Sequence, residues 1–381
     1  MQQQFIVVRQ HTENICRPLE LEDYVVQPVA DASPPKWHLA HTTWFWEEFI
    51  LSKYANGYKR FHPRYAFLFN SYYDSVGERV LRLHRGNMSR PTVAEIMEYR
   101  AYVTEKMTHL LTDMPPEVQG LIDIGINHEQ QHQELLYTDI KYILGHNPLF
   151  PVYDTNFAEQ STAPVPTEAF VHIPEGLYTI GYTGKAFSFD NEHAVHQQHL
   201  GAFSISTGLV TNGEYLEFMN AGGYDNPLLW HSDGWSWVKE KQVISPLYWH
   251  KIDGQWHRYS LSGLEFVNPE HPVTHISFYE AAAFAEWRGM RLPTEYEWEA
   301  ASERFTWGQR WEHTNSAYLP YPGYRKPPGA VGEYNGKFMI NQMVLRGASV
   351  ATPELHSRKT YRNFFHPGLQ WQFNGIRLCK K

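Results

Sequence analysis

Cysteine is scarce: Cys16 and Cys379 are the only two in 381 residues, and they stand near opposite ends with no paired spacing. That argues against a disulfide framework and against a thiolate metal site, and it suits a reducing compartment. Basic charge is not in excess either. Lys and Arg number 33 against 41 Asp and Glu, for a formal charge of −8, the wrong footprint for a nucleic-acid partner. No apolar run is long enough to span a bilayer. The opening MQQQFIVVRQHTE has neither the basic flank nor the long apolar core of a signal peptide. The expectation is a cytoplasmic protein without nucleic-acid or membrane partners. Histidine and aromatics, by contrast, are plentiful, with 21 His, 13 Trp, 24 Tyr and 21 Phe. They permit a metal site and an aromatic-lined pocket.

The length suggests about two domains. Residues 1–150 carry apolar positions at three- and four-residue steps in four stretches: RQHTENICRPLELED, KWHLAHTTWFWEEFILSKYA, TVAEIMEYRAYVTEKMTHLLTDM and PPEVQGLIDIGINHEQQHQELLYTDIKYILGH. Four such helices predict an antiparallel bundle, whose interior is a common place for a metal site. Ser89, Pro91 and Thr92 before Val93, and Pro115–Pro116 before Glu117, supply helix-start chemistry. The loop from Tyr58 to Arg90 is too long and too aromatic for a simple connector. Residues 151–168 lose periodicity and gain Pro, Ser and Thr, which predicts a linker. Beyond it, residues 169–381 alternate in short segments such as FVHIPEG, LYTIGY, HLGAFSIS and QWHRYSL. Two helical stretches, NGEYLEFMNAG and SFYEAAAFAEWRG, interrupt them, giving an irregular α+β domain.

HEQQHQELL at 128–136 places two histidines one helical turn apart, with His132 about 40° from His128. Leu121, Ile124 and Leu135 lie on the same side, so both imidazoles point where the core should be. A buried imidazole needs hydrogen-bond partners or a metal. A third ligand can come from WHLAHTTWFWEEF, where His38 and His41 both face inward and periodicity does not choose between them. Nitrogen-only ligation suits Fe, Zn or Cu.

SPPKWHLAHTTWFWEEF, NSYYDSVG, HEQQHQELL, RLPTEYEWEAA, VGEYNGKFMINQMVLRGAS and TYRNFFHPGLQWQFNGIRL, in this order along nearly the whole chain, closely resemble the ergothioneine-type sulfoxide synthases, or hercynine oxygenases. The resemblance implies an α+β chain in which a DinB-like four-helix bundle precedes a formylglycine-generating-enzyme-like, C-type-lectin-like domain. It also implies an iron-dependent oxidoreductase. In that family Fe(II) is held by three histidines, which by match are His41, His128 and His132, leaving His38 as a buried neighbour. The family uses O2 as co-substrate and joins the sulfur of a donor to C2 of the hercynine imidazole. The NSYY motif resembles the subgroup that takes free cysteine.

By the same resemblance, Tyr72 and Tyr73 are the expected active-site tyrosines, and Gln131 is the contact to the substrate imidazole. Arg82 and Arg85 are candidates to clamp the cysteine carboxylate, Arg82 having the closer family position. The quaternary ammonium of hercynine calls for aromatic faces, with Phe364, Phe365, Trp371 and Phe373 as candidates. Arg291, Glu295, Glu299 and Arg346 are expected to form structural ion pairs. The copper-binding cysteines of true formylglycine-generating enzymes are absent, so that activity is not expected. The expected partners are small molecules: hercynine, and cysteine or a related sulfur or selenium donor. The alternatives are a selenoneine- or ovothiol-type synthase, a DinB-like metal-dependent thiol transferase or hydrolase, and a lectin-like binding module.

Overall fold

A computed structural model describes residues 1–159, 169–328 and 330–381. Much of the expected linker, residues 160–168, lies outside the described residues. The chain divides into two compact units, Met1–Thr155 with Ala351–His356, and Asn156–Val350 with Ser357–Lys381.

The first unit is built on four long helices: α1 (Gln2–Cys16), α2 (Pro35–Trp46), α3 (Val93–Leu110) and α4 (Gln119–Gly145). The sequence predicts the first helix over 9–23, but α1 begins seven residues earlier and stops at Cys16. Pro18 accounts for the stop by carrying no N–H to continue the ladder, although Arg17 before it keeps helical backbone. Pro35 occupies the first turn of α2, where its missing N–H costs nothing. Every residue of α2 is buried, as expected for a helix apolar on most sides and enclosed by its neighbours. A π-helical turn, Glu47–Leu51, extends it. Thr92 and Glu95 cap α3 reciprocally, each accepting a backbone N–H of the other.

The loop after α2 is tied down through Glu47. Its carboxylate is fully buried and accepts from the Tyr58 hydroxyl at 2.6 Å, the Phe61 amide at 3.0 Å and the Tyr99 hydroxyl at 2.8 Å. Three charge-assisted hydrogen bonds on one buried carboxylate fix where this long excursion leaves the bundle. It contains a short helical segment, Tyr65–Leu68, and a 3-10 segment, Arg82–Asn87.

The second unit mixes small sheets with short helices. One sheet runs β1 (Phe170–Ile173), β4 (Phe203–Ser206), β13 (Cys379–Lys380), β8 (Met290–Arg291). A second runs β11 (Asn363–Phe365), β10 (Met343–Gly347), β9 (Trp311–Ala317), β12 (Asn374–Gly375). Strands β2 (Gly176–Ile180) and β3 (His196–Leu200) pair as a ribbon, and β5 (Trp249–Ile252), β6 (Gln255–Ser260) and β7 (Gly263–Phe266) form a meander. Four helices pack with them: α5 (Asn212–Asn220), α6 (Ser232–Lys241), α7 (Phe278–Trp287) and α8 (Glu295–Ala301). Thr211 with Glu214, Ser277 with Glu280 and Thr294 with Glu297 form capping boxes at α5, α7 and α8. The sequence reading gives no helix at α6. Its SDGWSWVKEK stretch has Gly inside and few apolar positions, and only Gly234 and Val238 are buried.

Cys379 is not a loose tail residue. It pairs with Ile205 and with Arg291, and is fully buried in the middle of its sheet. Among the expected ion-pair residues, Arg346 meets Glu299 and Glu295, while Arg291 pairs with Glu297 at 2.6 Å. Glu295 takes a second cation, Arg362, at 2.8 Å. Glu159, inside the stretch predicted as linker, is buried in this unit and accepts the Leu261 amide at 2.9 Å.

Candidate metal centre

Helices α2 and α4 lie against each other in the first unit, and His41, His128 and His132 converge where they meet. One ring nitrogen from each lies within 4.8 Å of the others, and all three residues are buried. His41 Nε2 and His128 Nε2 are 3.2 Å apart. Two nitrogens bound at right angles to one ion at about 2.0–2.1 Å stand about 3 Å apart, so this spacing fits a shared metal.

Burial favours the neutral form of these imidazoles. Burial pushes His41 well below the usual histidine range, aided by His128, while its hydrogen bond to the Phe69 carbonyl opposes the shift. His128 is brought down to about 3, again by burial. His132 is depressed by burial and by its histidine neighbours. Neutral imidazole is the metal-binding form. His41 Nδ1–H donates to the Phe69 carbonyl at 2.6 Å, which leaves Nε2 with its lone pair. The donor set therefore suits Fe, Zn or Cu.

His38 does not join this triad. Its Nε2 lies 2.9 Å from Asp139 Oδ2 and its Nδ1 lies 2.8 Å from His132 Nδ1. Asp139 Oδ2 also accepts the Ser33 amide at 2.8 Å. Asp139 escaped the sequence reading, although it sits eleven residues beyond His128 and so on the same stripe of α4.

Aromatic rings wall the cluster. His41 is stacked between Trp37, at 4.5 Å, and Trp44, at 5.3 Å, and Phe45 lies 4.7 Å from the His128 ring. The Arg85 guanidinium lies 3.4 Å over the other partner of that stack, the Trp37 ring. Arg85 is buried and donates to Ser33 Oγ at 2.9 Å and Ser71 Oγ at 3.1 Å. Among the described residues no carboxylate stands within ion-pair distance of it. Burial, then Arg82, pull its pKa well below the usual guanidinium range, and its charge in turn depresses His41 and His132. Arg82, by contrast, is largely exposed and faces Asp31 at 3.5 Å.

Tyr73 is fully buried, packed on Trp44 at 5.6 Å and Phe49 at 5.2 Å. Asn70 holds its backbone on both sides, and half-buried Tyr72 stacks on it at 4.6 Å. Gln131 is half-buried on α4 between the two histidines of that helix. Phe364, Phe365, Trp371 and Phe373 belong to the second unit. There Phe364 stacks on Tyr318 at 4.0 Å, and Phe373 packs on His275.

H-E-x-x-H on a helix is also the signature of zinc peptidases, whose glutamate is the general base. Glu129 has no such freedom. It is fully buried, and its oxygens accept from Arg9, Arg100, Thr12 and Trp46 at 2.8–3.1 Å. Burial alone would raise its pKa, but the two guanidiniums and these hydrogen bonds together bring it to about 2. A carboxylate so held and so acidic is a structural anion.

Residues 4–136 match the DinB superfamily, and residues 156–318 match the sulfatase-modifying factor enzyme 1-like domain. Hercynine oxygenase of Mycolicibacterium smegmatis is 28% identical across 91% of this chain and 91% of its own. That of Mycobacterium tuberculosis is 26% identical with the same coverage of both. The formylglycine-generating enzyme of Thermomonospora curvata is 31% identical, over 42% of this chain and 58% of its own. That likeness is confined to part of the chain, whereas the hercynine oxygenases match from the bundle through the sheet-bearing unit. The chain is a homologue of the hercynine oxygenases, a DinB-superfamily unit followed by a sulfatase-modifying-factor unit.

Proposed function

We propose that this protein is an oxidoreductase that joins the sulfur of cysteine to C2 of the hercynine imidazole, with Fe(II) held by His41, His128 and His132. One observation carries this reading: three buried, neutral imidazoles converge on one point. The homology to hercynine oxygenases supports the choice of substrate. The reaction balances as thiol plus imidazole C–H plus O2, giving sulfoxide plus water. Four electrons leave sulfur and carbon, and one oxygen atom of O2 ends in each product. Bound iron would supply a site where thiolate and O2 meet.

The remaining work falls to the chain. Arg85 is a buried cation without a carboxylate partner among the described residues, a costly arrangement that a substrate carboxylate would relieve. Its planar fork suits that group. Gln131 is proposed to orient the acceptor imidazole. Phe364, Phe365 and Trp371 are proposed to offer aromatic faces to the quaternary ammonium. A phenol from Tyr72 or Tyr73 is proposed to deliver the proton that favours C–S bond formation. Trp37, Trp44 and Phe45 exclude water around the histidines.

The test is protein loaded anaerobically with Fe(II), then given O2, cysteine and hercynine, with products read by mass spectrometry. The expected product is the cysteinyl sulfoxide of hercynine. Product from a selenosugar but not from cysteine, or from histidine but not from hercynine, would reassign the substrates. Thiol transfer that ignores O2 and survives zinc substitution would overturn the oxidoreductase reading.

A further inference from the structure

We infer that Asp139 and His38 are positioning residues that set the tautomer of His132 before any metal arrives. The inference rests on the reading that His132 is a metal ligand, and it goes beyond that reading by assigning two residues outside the ligand set. It follows from the order of hydrogen bonds. The Asp139 carboxylate only accepts, so His38 Nε2, at 2.9 Å, must carry the hydrogen. In a neutral imidazole the other nitrogen then has a lone pair, so His38 Nδ1 accepts. Its partner at 2.8 Å is His132 Nδ1, which must therefore be protonated. That leaves the lone pair of His132 on Nε2, the nitrogen not engaged by His38.

Burial strengthens the arrangement. His38 and Asp139 are almost wholly enclosed, so water does not compete for these bonds. The Ser33 amide anchors the same Asp139 oxygen at 2.8 Å, fixing the end of the relay to the segment just ahead of α2. His41 reaches the same state by another route, since the Phe69 carbonyl takes its Nδ1–H. Outer partners of this kind orient a ligand and raise its basicity, and losing one costs about 10- to 100-fold in metal affinity.

The test is a Co(II) titration of the metal-free full chain, following the visible spectrum, for wild type, His132→Ala, His38→Ala, Asp139→Ala and the His38→Ala/Asp139→Ala double variant. Wild type should bind one Co(II) and His132→Ala should lose it. His38→Ala and Asp139→Ala should each weaken binding about 10- to 100-fold with a changed spectrum. The double variant should be no worse than the weaker single one, because both act through one hydrogen bond. Thermal unfolding of the metal-free variants reports any general loss of packing separately. If wild type and His132→Ala bind Co(II) alike, the three-histidine reading falls and this inference with it. If wild type binds through His132 but the two single variants keep its affinity and spectrum, or if their losses add in the double variant, the relay alone is overturned.

Discussion

Arg100 and Glu129, 29 positions apart in sequence, meet at 3.0 Å with neither side chain exposed. Arg9 reaches the same carboxylate at 3.1 Å, so one anion in the bundle core holds cations from two other helices. Cutting such a pair leaves buried charge uncompensated, which costs about 3–5 kcal/mol. Glu129→Ala should therefore lower stability by about that much in urea unfolding of the metal-free protein. Glu129→Gln should also destabilise, since two guanidiniums remain. Either variant that still folds should keep its metal stoichiometry, because the carboxylate is turned to Arg9 and Arg100. Loss of metal from a stably folded Glu129→Gln would restore a site role to this residue.

The three proposed ligands should behave alike. His41→Ala, His128→Ala and His132→Ala should each abolish stoichiometric Fe(II), read by metal analysis after anaerobic loading. His38→Ala should retain metal at millimolar Fe(II) but bind it more weakly, since His38 touches His132 and not the shared point. Full retention in His41→Ala with complete loss in His38→Ala would mean that the wrong histidine of α2 was assigned.

Helical periodicity made the bundle and the two α4 histidines legible, because α4 repeats its apolar stripe over many turns. It could not choose between His38 and His41, which both face inward three residues apart. What separates them is tertiary: Phe69 takes one hydrogen of His41, and Asp139 claims His38. Periodicity also set Glu129 off the core face, yet Glu129 lies on the buried stripe of Ile122, Ile126, Leu136 and Ile140, where Arg9 and Arg100 reach it from other helices. The second unit was less legible, since strands as short as β8, β12 and β13 hold too few residues to show alternation. The pattern that predicts the first helix continues past Pro18, where the helix does not, and misses its start at Gln2.

Arg85 should separate substrate binding from metal binding. Arg85→Ala should leave Fe(II) content intact and raise KM for cysteine about 10- to 100-fold, the worth of a hydrogen bond to a charged group. Arg85→Lys should recover part of that loss, keeping charge but not the fork. Arg82→Ala, at an exposed position facing Asp31, should change KM far less. Steady-state kinetics at saturating hercynine decide it. Equal effects at both positions would argue for a general charge field in place of a clamp.

Neither cysteine should take part in chemistry. Burial pushes both the Cys16 and the Cys379 thiol up to about 12, so the reactive thiolate is scarce across the neutral range. A disulfide reagent should label neither thiol in the native protein at pH 8 and both after unfolding. Activity should survive Cys16→Ala and Cys379→Ala wherever the variant folds. Rapid labelling of native Cys379 would show that β13 opens from its sheet.

Tyr72 and Tyr73 share a stack but not an environment, so their hydroxyls should not be interchangeable. Tyr73 is enclosed against Trp44, which also stacks on the His41 ring, whereas Tyr72 is half-buried. Tyr73→Phe removes one oxygen and keeps the ring that packs on Trp44 and Phe49, so folding, iron content and hercynine affinity should persist. If that oxygen delivers the proton for C–S bond formation, sulfoxide production should fall by about 10²- to 10⁴-fold, the usual worth of general acid assistance. O2 consumption should fall much less, because the bound thiol can still be oxidised, now to cysteine sulfinate. Tyr72→Phe should shift the product ratio less than Tyr73→Phe. The measurement is sulfoxide and sulfinate from one reaction, each normalised to O2 consumed. An unchanged ratio in both variants would leave the tyrosines as packing and move the proton source elsewhere. Lost hercynine binding without a shift in products would make them part of the pocket wall.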